Sequence, residues 1–344
     1  MSQRPDLSPR QVQILTDVVA SYIATGHPVG SRTLVEKNDI DASASTVRYE
    51  LAELETRGLL NHPHTSAGRV PTDAGYRLYA ELLLQQPLGA ASLPVDLSAT
   101  RSEIDSALRA TTEMLSHVTS LLALVTAPPL DTTEIRRVEV LLLQAQVVMV
   151  VVITSTGGVT KKIFPFPAAV DPKLVEWAGE FLNEQLGGVR AGTRTLQTRL
   201  EEPGLSPVER QLIDTLRPAF TELVEGGEQM LYIGGAARLL EEMRFADLAE
   251  INGLMRVLEE RMDLLEMLRG ALDSRRLYVR VGSDNAVPHM HALAMVAANY
   301  GLVTQNLGTV SLIGPMRMDY ASAIRSVRGA AAALSAFVED IYEE

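Results

Sequence analysis

An α+β protein with a winged helix-turn-helix at its N-terminus is the fold class that three features of the 344-residue sequence predict. The first is a helix that opens near Ser45 and stops at Gly58, followed by a short polar loop, Leu59 to Pro71, carrying glycine and arginine. The second is a change of period. Arg137 to Leu143, Val147 to Thr154 and Val159 to Phe164 are apolar and β-branched, as buried strands are. The third is the return of strand-like runs late in the chain, at Leu277 to Val281, Ala292 to Ala298 and Val310 to Gly314, with helices between. Strands, then helices, then strands again fit an α+β sheet domain.

Taken in order, Ser8, Pro9 and Gln11 form a helix start: a capping hydroxyl, a proline at the first helical position and a capping-box partner. Val12, Leu15, Val18, Val19 and Tyr22 recur at helical spacing to about Thr25, and Gly26 ends the run. A turn over 26–30 leads to Ser31, which is expected to cap a short second helix through Lys37. Ser43 or Ser45 caps the third. Within it Val47, Leu51 and Leu54 form the inward stripe, leaving Ser45, Thr46, Arg48 and Tyr49 outward at the N-terminal end. That end of a recognition helix presents side chains to base edges. Arg48 suits a forked contact with guanine, Ser45 and Thr46 suit phosphate oxygens or bases, and Tyr49 suits a thymine methyl or a sugar.

Alone, this helix fits any amphipathic surface helix; the loop after it favours the DNA reading. Thr65, Ser66 and Gly68 are small and polar beside Arg69, with His64 just before them, and together they form the candidate wing. Thr72 then caps a fourth helix through Leu84. A turn-rich stretch over 85–94 reads as a linker, and an amphipathic helix is expected from about Ser98 to Val125. Thr156 to Gly158 looks like a hairpin turn, and a helix is expected over Pro172 to Leu186. The stretch of roughly 190–270 reads as strongly helical, with segments at Pro207 to Glu225, Arg238 to Met243 and Asn252 to Leu272. Asp319 or Ser322 opens the last helix, through about Tyr342.

Composition narrows the function. The net charge is −12, and residues 1–86 hold eight basic against ten acidic side chains, so a broad positive field is excluded. DNA binding must then come from placed arginines and two-fold repetition. Cysteine is absent, which removes disulfides, thiolate metal sites and a cysteine nucleophile. The first residues lack the apolar core of a secretory signal, and the longest apolar run, Val147 to Ile153, is far short of the ~20 residues that span a bilayer, so a cytoplasmic protein without membrane attachment is expected. His62 with His64, and His289 with His291, are weak metal signals without a carboxylate at helical spacing. No phosphate loop, dinucleotide fingerprint or nucleophile elbow occurs. The expectation is therefore a non-enzyme without cofactor or metal.

The motifs Val29 to Leu34, Ser45 to Arg48, Gly58 to Leu60, His62 to Arg69 with Pro71 and Thr72, Gly75 to Arg77, and Ile313 to Tyr320 closely resemble the heat-inducible transcription repressor family, HrcA. They fall at both ends of the chain in the family's order, so the resemblance covers essentially its whole length. Tyr49 departs from the pattern, which favours asparagine there. Arg32, inside the first motif, joins the DNA-binding candidates.

The resemblance implies a division into a DNA-binding unit over 1–86, a linker over 87–97, a GAF-like domain over 98–189 and 271–344, and an inserted, mainly helical dimerising domain over 190–270. It implies a homodimer on an inverted-repeat operator of double-stranded DNA ahead of heat-shock chaperone genes, kept active by the chaperonin GroEL. An alternative keeps the DNA-binding unit and makes the GAF-like domain a small-molecule sensor.

Overall fold

The computed structural model describes residues 6–37, 40–63, 68–87, 89–91, 104–128, 134–155, 159–190, 194–201, 203–220, 231–242, 248–259, 268, 277–285, 287–303 and 305–343. It is a mixed α+β protein built on antiparallel sheets. Helix α1 spans Pro9–Thr25, and its start is the expected one: Ser8 Oγ accepts from the Gln11 N–H at 3.2 Å, and Gln11 Oε1 accepts from the Ser8 N–H at 3.0 Å. Gly26 ends it with φ +68, a left-handed conformation that suits a residue without a Cβ. Helix α2 (Ser31–Lys37) begins on Ser31 itself rather than after it. Helix α3 (Ala44–Thr56) is capped by Ser43, and α4 (Asp73–Gln85) by Thr72. Between these two helices lies a two-stranded hairpin, β1 (Leu60–Asn61) with β2 (Val70–Pro71).

The main sheet has five strands in the order β7-β3-β10-β9-β8, all antiparallel: β3 (Leu122–Thr126), β7 (Leu231–Gly234), β8 (Leu277–Val281), β9 (Leu293–Leu302) and β10 (Gln305–Pro315). Helices α5 (Ile104–Thr119) and α11 (Tyr320–Glu343) lie together on one face of it, and Asp319 Oδ1 caps α11 by accepting from the Ser322 N–H. Two expectations are corrected here. The helix expected to reach Val125 stops at Thr119, because Ser120 takes φ +54 and the next residues form β3. Every residue of β3 is buried, since it lies inside the sheet, so it lacks the alternation that marks a half-exposed strand. The stretch expected to be strongly helical also contains a strand that was not expected, β7, which completes the sheet beside β3.

A second sheet, β4 (Ile135–Gln144), β5 (Val147–Thr154) and β6 (Val159–Pro165), pairs in chain order and packs one face on α6 (Pro172–Leu186). The turn expected at 156–158 lies outside the described residues. Asn183 staples α6 to the edge strand: its Oδ1 accepts from the Val138 N–H at 2.8 Å while its Nδ2 donates to the Val138 carbonyl. Helices α7 (Arg194–Arg199) and α8 (Pro207–Leu216), together with residues 218–220, close this core. The expected division at 189/190 therefore runs through a single apolar cluster, which extends from Ile135 to Phe220. Sheet pairing shows why: among the described residues β4 to β6 take only one another as strand partners, whereas β7, beyond them in sequence, pairs with β3 before them. Helices α9 (Ala236–Glu242) and α10 (Leu248–Glu259) follow β7, and most of the expected helix over 252–272 lies outside the described residues.

The N-terminal unit shares its interior with the main sheet domain, and the two meet through α4. Tyr76 and Tyr79 of α4 each place their rings 6.2 Å from that of Tyr320, the latter edge-on. Tyr320 is fully buried and its hydroxyl donates to the Met316 carbonyl at 2.7 Å. Burial raises the Tyr320 phenol well above its usual range, and the nearby Tyr76 adds to this. Arg77 pairs with Asp284, just past β8, and Asp73 lies against Gly282, where a Cβ would collide with its carboxylate.

Candidate nucleic-acid interface

The exposed edge of the N-terminal unit is built by α3. Val47, Leu51 and Leu54 are buried, as their spacing requires, which turns Arg48 and Tyr49 outward. Tyr49 is 65% exposed, an unusual position for an aromatic ring with no apolar cover. Ser45 is exposed as expected, but the hydroxyls form a cluster of their own: Ser43 Oγ lies 2.7 Å from Ser45 Oγ and 2.9 Å from Thr46 Oγ1, and accepts from the Thr46 N–H at 3.1 Å. The cap thus engages two groups that sequence alone leaves free. Arg32 is exposed on α2, which packs against α3.

The hairpin sits at the other end of α3. Val29 and Arg69 exchange two backbone hydrogen bonds, at 2.9 and 2.8 Å, tying the hairpin to the turn before α2. Gly68 makes that approach possible, since a Cβ there would overlap the Val29 backbone. His64, Thr65 and Ser66 lie outside the described residues. Arg69 is not turned outward as a free phosphate contact would be. Its Nη2 is 2.7 Å from Glu55 Oε2 of α3, the side chain is only 21% exposed, and its buried Nε has no hydrogen-bond partner. The other oxygen of Glu55 binds His62 Nδ1. A carboxylate can only accept here, so Nδ1 carries the hydrogen. Sequence reasoning missed Glu55, because a carboxylate on an exposed helix face reads as a solvated charge. Its one signal is that it stands seven residues after Arg48, on the same side of the helix.

Among the described residues, no cluster of three or more histidine, aspartate or glutamate side chains is arranged to hold a metal ion. No helix among them is long and apolar enough to cross a membrane. His291 Nε2 lies 3.2 Å from the Asn285 carbonyl oxygen.

The family model described as HrcA protein C terminal domain matches residues 105–324. The chain belongs to the HrcA family. Its similarity to HrcA relatives extends beyond that region into the N-terminal unit. It is 33% identical to the heat-inducible transcription repressor HrcA of Nocardia farcinica over 92% of this chain and 93% of that one. The protein of the same name from Halalkalibacterium halodurans is 31% identical over 98% and 99%, and that from Thermobifida fusca 33% over 96% and 97%. A solved structure described as a hypothetical protein at 2.2 Å resolution shares the fold with this HrcA chain, at a TM-score of 0.67 and 22% identity, covering 98% of this chain and all of that one.

Proposed function

We propose that the chain is a sequence-specific repressor of transcription that binds, as a homodimer, an inverted-repeat operator ahead of heat-shock chaperone genes. The carrying observation is end-to-end similarity to proteins named heat-inducible transcription repressors, joined to an exposed Arg48 and Tyr49 on a capped helix beside a hairpin. In this reading α1 to α4 and the hairpin form the winged helix-turn-helix. Arg48 reads bases, Ser45, Thr46 and Tyr49 assist, and Arg32 approaches the backbone. Half-sites must lie an integral number of helical turns apart, about 34 Å each. Binding of the protein to such an operator and to a duplex with scrambled half-sites, at one salt concentration, tests this. Tight binding to the operator alone is expected, and equal weak binding to both duplexes would sink the proposal.

The main sheet with α5 and α11 serves as the GAF-like domain, and the unit over 135–220 as the dimerising insertion. Support for the second role comes from the outer face of its sheet. Leu141, Met149 and Ile163 form one row across the three strands, and Arg137, Ile153 and Val159 another, with Glu139, Val151 and Lys161 between. Leu141, Val159 and Ile163 are among the exposed large apolar side chains, Ile163 at 57%. Opposite charges on the two edges, Glu139 and Lys161, suit a two-fold mate. Ile163→Lys is expected to shift the protein from dimer to monomer in sedimentation, with the helix content unchanged. A dimer of undiminished strength would place the seam elsewhere.

The proposal includes the chaperonin GroEL as the partner that keeps the repressor active. A monomer displaying this apolar face is the kind of species a chaperonin holds, and dimerisation covers it. Operator binding should then rise when chaperonin and ATP are added to freshly diluted protein.

A further inference from the structure

Glu55 bridges three segments that must move together if the N-terminal unit grips DNA. Its carboxylate receives His62, just after β1, and Arg69, just before β2, while its own backbone belongs to α3. It stands seven residues from Arg48, roughly 10 Å along the same side of the helix. An acidic group this close to a DNA-facing surface would ordinarily repel phosphate. Here the charge is neutralised inside the protein by Arg69, whose guanidinium is largely buried and therefore committed to the contact.

We propose that Glu55 is a positioning residue for DNA recognition: it clamps both arms of the hairpin to α3, so that Arg69 orients the hairpin instead of contacting phosphate. This rests on the DNA-binding reading above. The backbone pairing of Arg69 with Val29 then carries the clamp on to the turn that enters α2. One carboxylate thereby fixes the hairpin against α3 and against the entry to α2.

The test compares Glu55→Ala, Arg69→Ala and the double variant by titration against operator and scrambled duplex over a range of salt. Amide hydrogen exchange is measured on each free protein. Glu55→Ala should weaken operator binding about tenfold, the scale of a lost charge-assisted hydrogen bond, with an unchanged salt slope. Arg69→Ala should weaken it at least as much, since it also uncovers the Glu55 charge, and the double variant should be no worse than Arg69→Ala, because both break one clamp. The Val29 and Arg69 amides should exchange faster in each variant while those of α1 stay protected, which separates loosening of the hairpin from unfolding.

Tighter binding of Glu55→Ala to both duplexes, with a salt slope steeper by about one, would show that Glu55 merely masks a phosphate contact and would overturn the clamp. Additive losses would overturn it too, as would unchanged exchange at Val29 and Arg69. A wild-type protein without operator preference would remove the DNA-binding reading instead, and the exchange result would still decide whether the clamp exists. Glu55→Gln keeps the shape without the charge and should fall between wild type and alanine in both readouts.

Discussion

Tyr320→Ala should lower the free energy of unfolding by about 3–5 kcal/mol, the range for deleting a fully buried aromatic ring. The side chain has no exposed surface, and it is the ring on which Tyr76 and Tyr79 of α4 converge. Its removal leaves a cavity at the junction of the N-terminal unit with α11. It also leaves the Met316 carbonyl without the hydroxyl that reaches it. Against a total stability of about 5–15 kcal/mol, such a loss is a large fraction of the whole. Urea unfolding measures it directly. Tyr320→Phe is the companion variant: it keeps the ring and loses one hydrogen bond, so a cost of about 1 kcal/mol is expected. If phenylalanine were as damaging as alanine, the hydroxyl would be the decisive group and the packing argument would fail.

Arg48→Ala should remove about 1–3 kcal/mol of discrimination between operator and scrambled DNA, roughly five- to 150-fold in relative affinity. The reasoning is geometric. Arg48 is exposed near the capped start of α3, flanked by Tyr49, and the apolar stripe of Val47, Leu51 and Leu54 fixes which way that face points. Binding to random DNA should fall much less, because base readout and backbone attraction are separable. Titration of both duplexes at fixed salt gives the ratio. A ratio equal to that of the wild type would mean that bases are read by another part of the molecule.

How much of this was legible depends on whether the information is local. The start of α1 was fully written in Ser8, Pro9 and Gln11, since a capping box involves only neighbours, and the structure reproduces it bond for bond. The limits of α6 and the capping of α4 by Thr72 were equally plain. Strand β3 was not, because Leu121 to Thr126 continues an apolar helix without a break that periodicity can detect. The strand pairing of the body was hidden for a related reason. Nothing in β4 says that it pairs only with β5, and nothing in β7 says that its partner lies 105 residues earlier, as Thr126 does from Leu231. At the candidate site, Arg48 and Tyr49 could be placed from the stripe they avoid. The engagement of Arg69 by Glu55 depends on how the hairpin folds back, which no spacing encodes.

The placement of β3 has a consequence for how the protein is made. Leu124 emerges from the ribosome 187 residues before Ser311, its partner in β10. At about 5–20 residues per second, that interval lasts roughly 10–40 s. The unit over 135–220 can close by itself within that time, because all its strand partners have been synthesised. Throughout the wait β3, apolar in all but its last residue, has an unoccupied hydrogen-bonding edge, so the nascent polypeptide spends much of its synthesis with one half finished and the other adhesive.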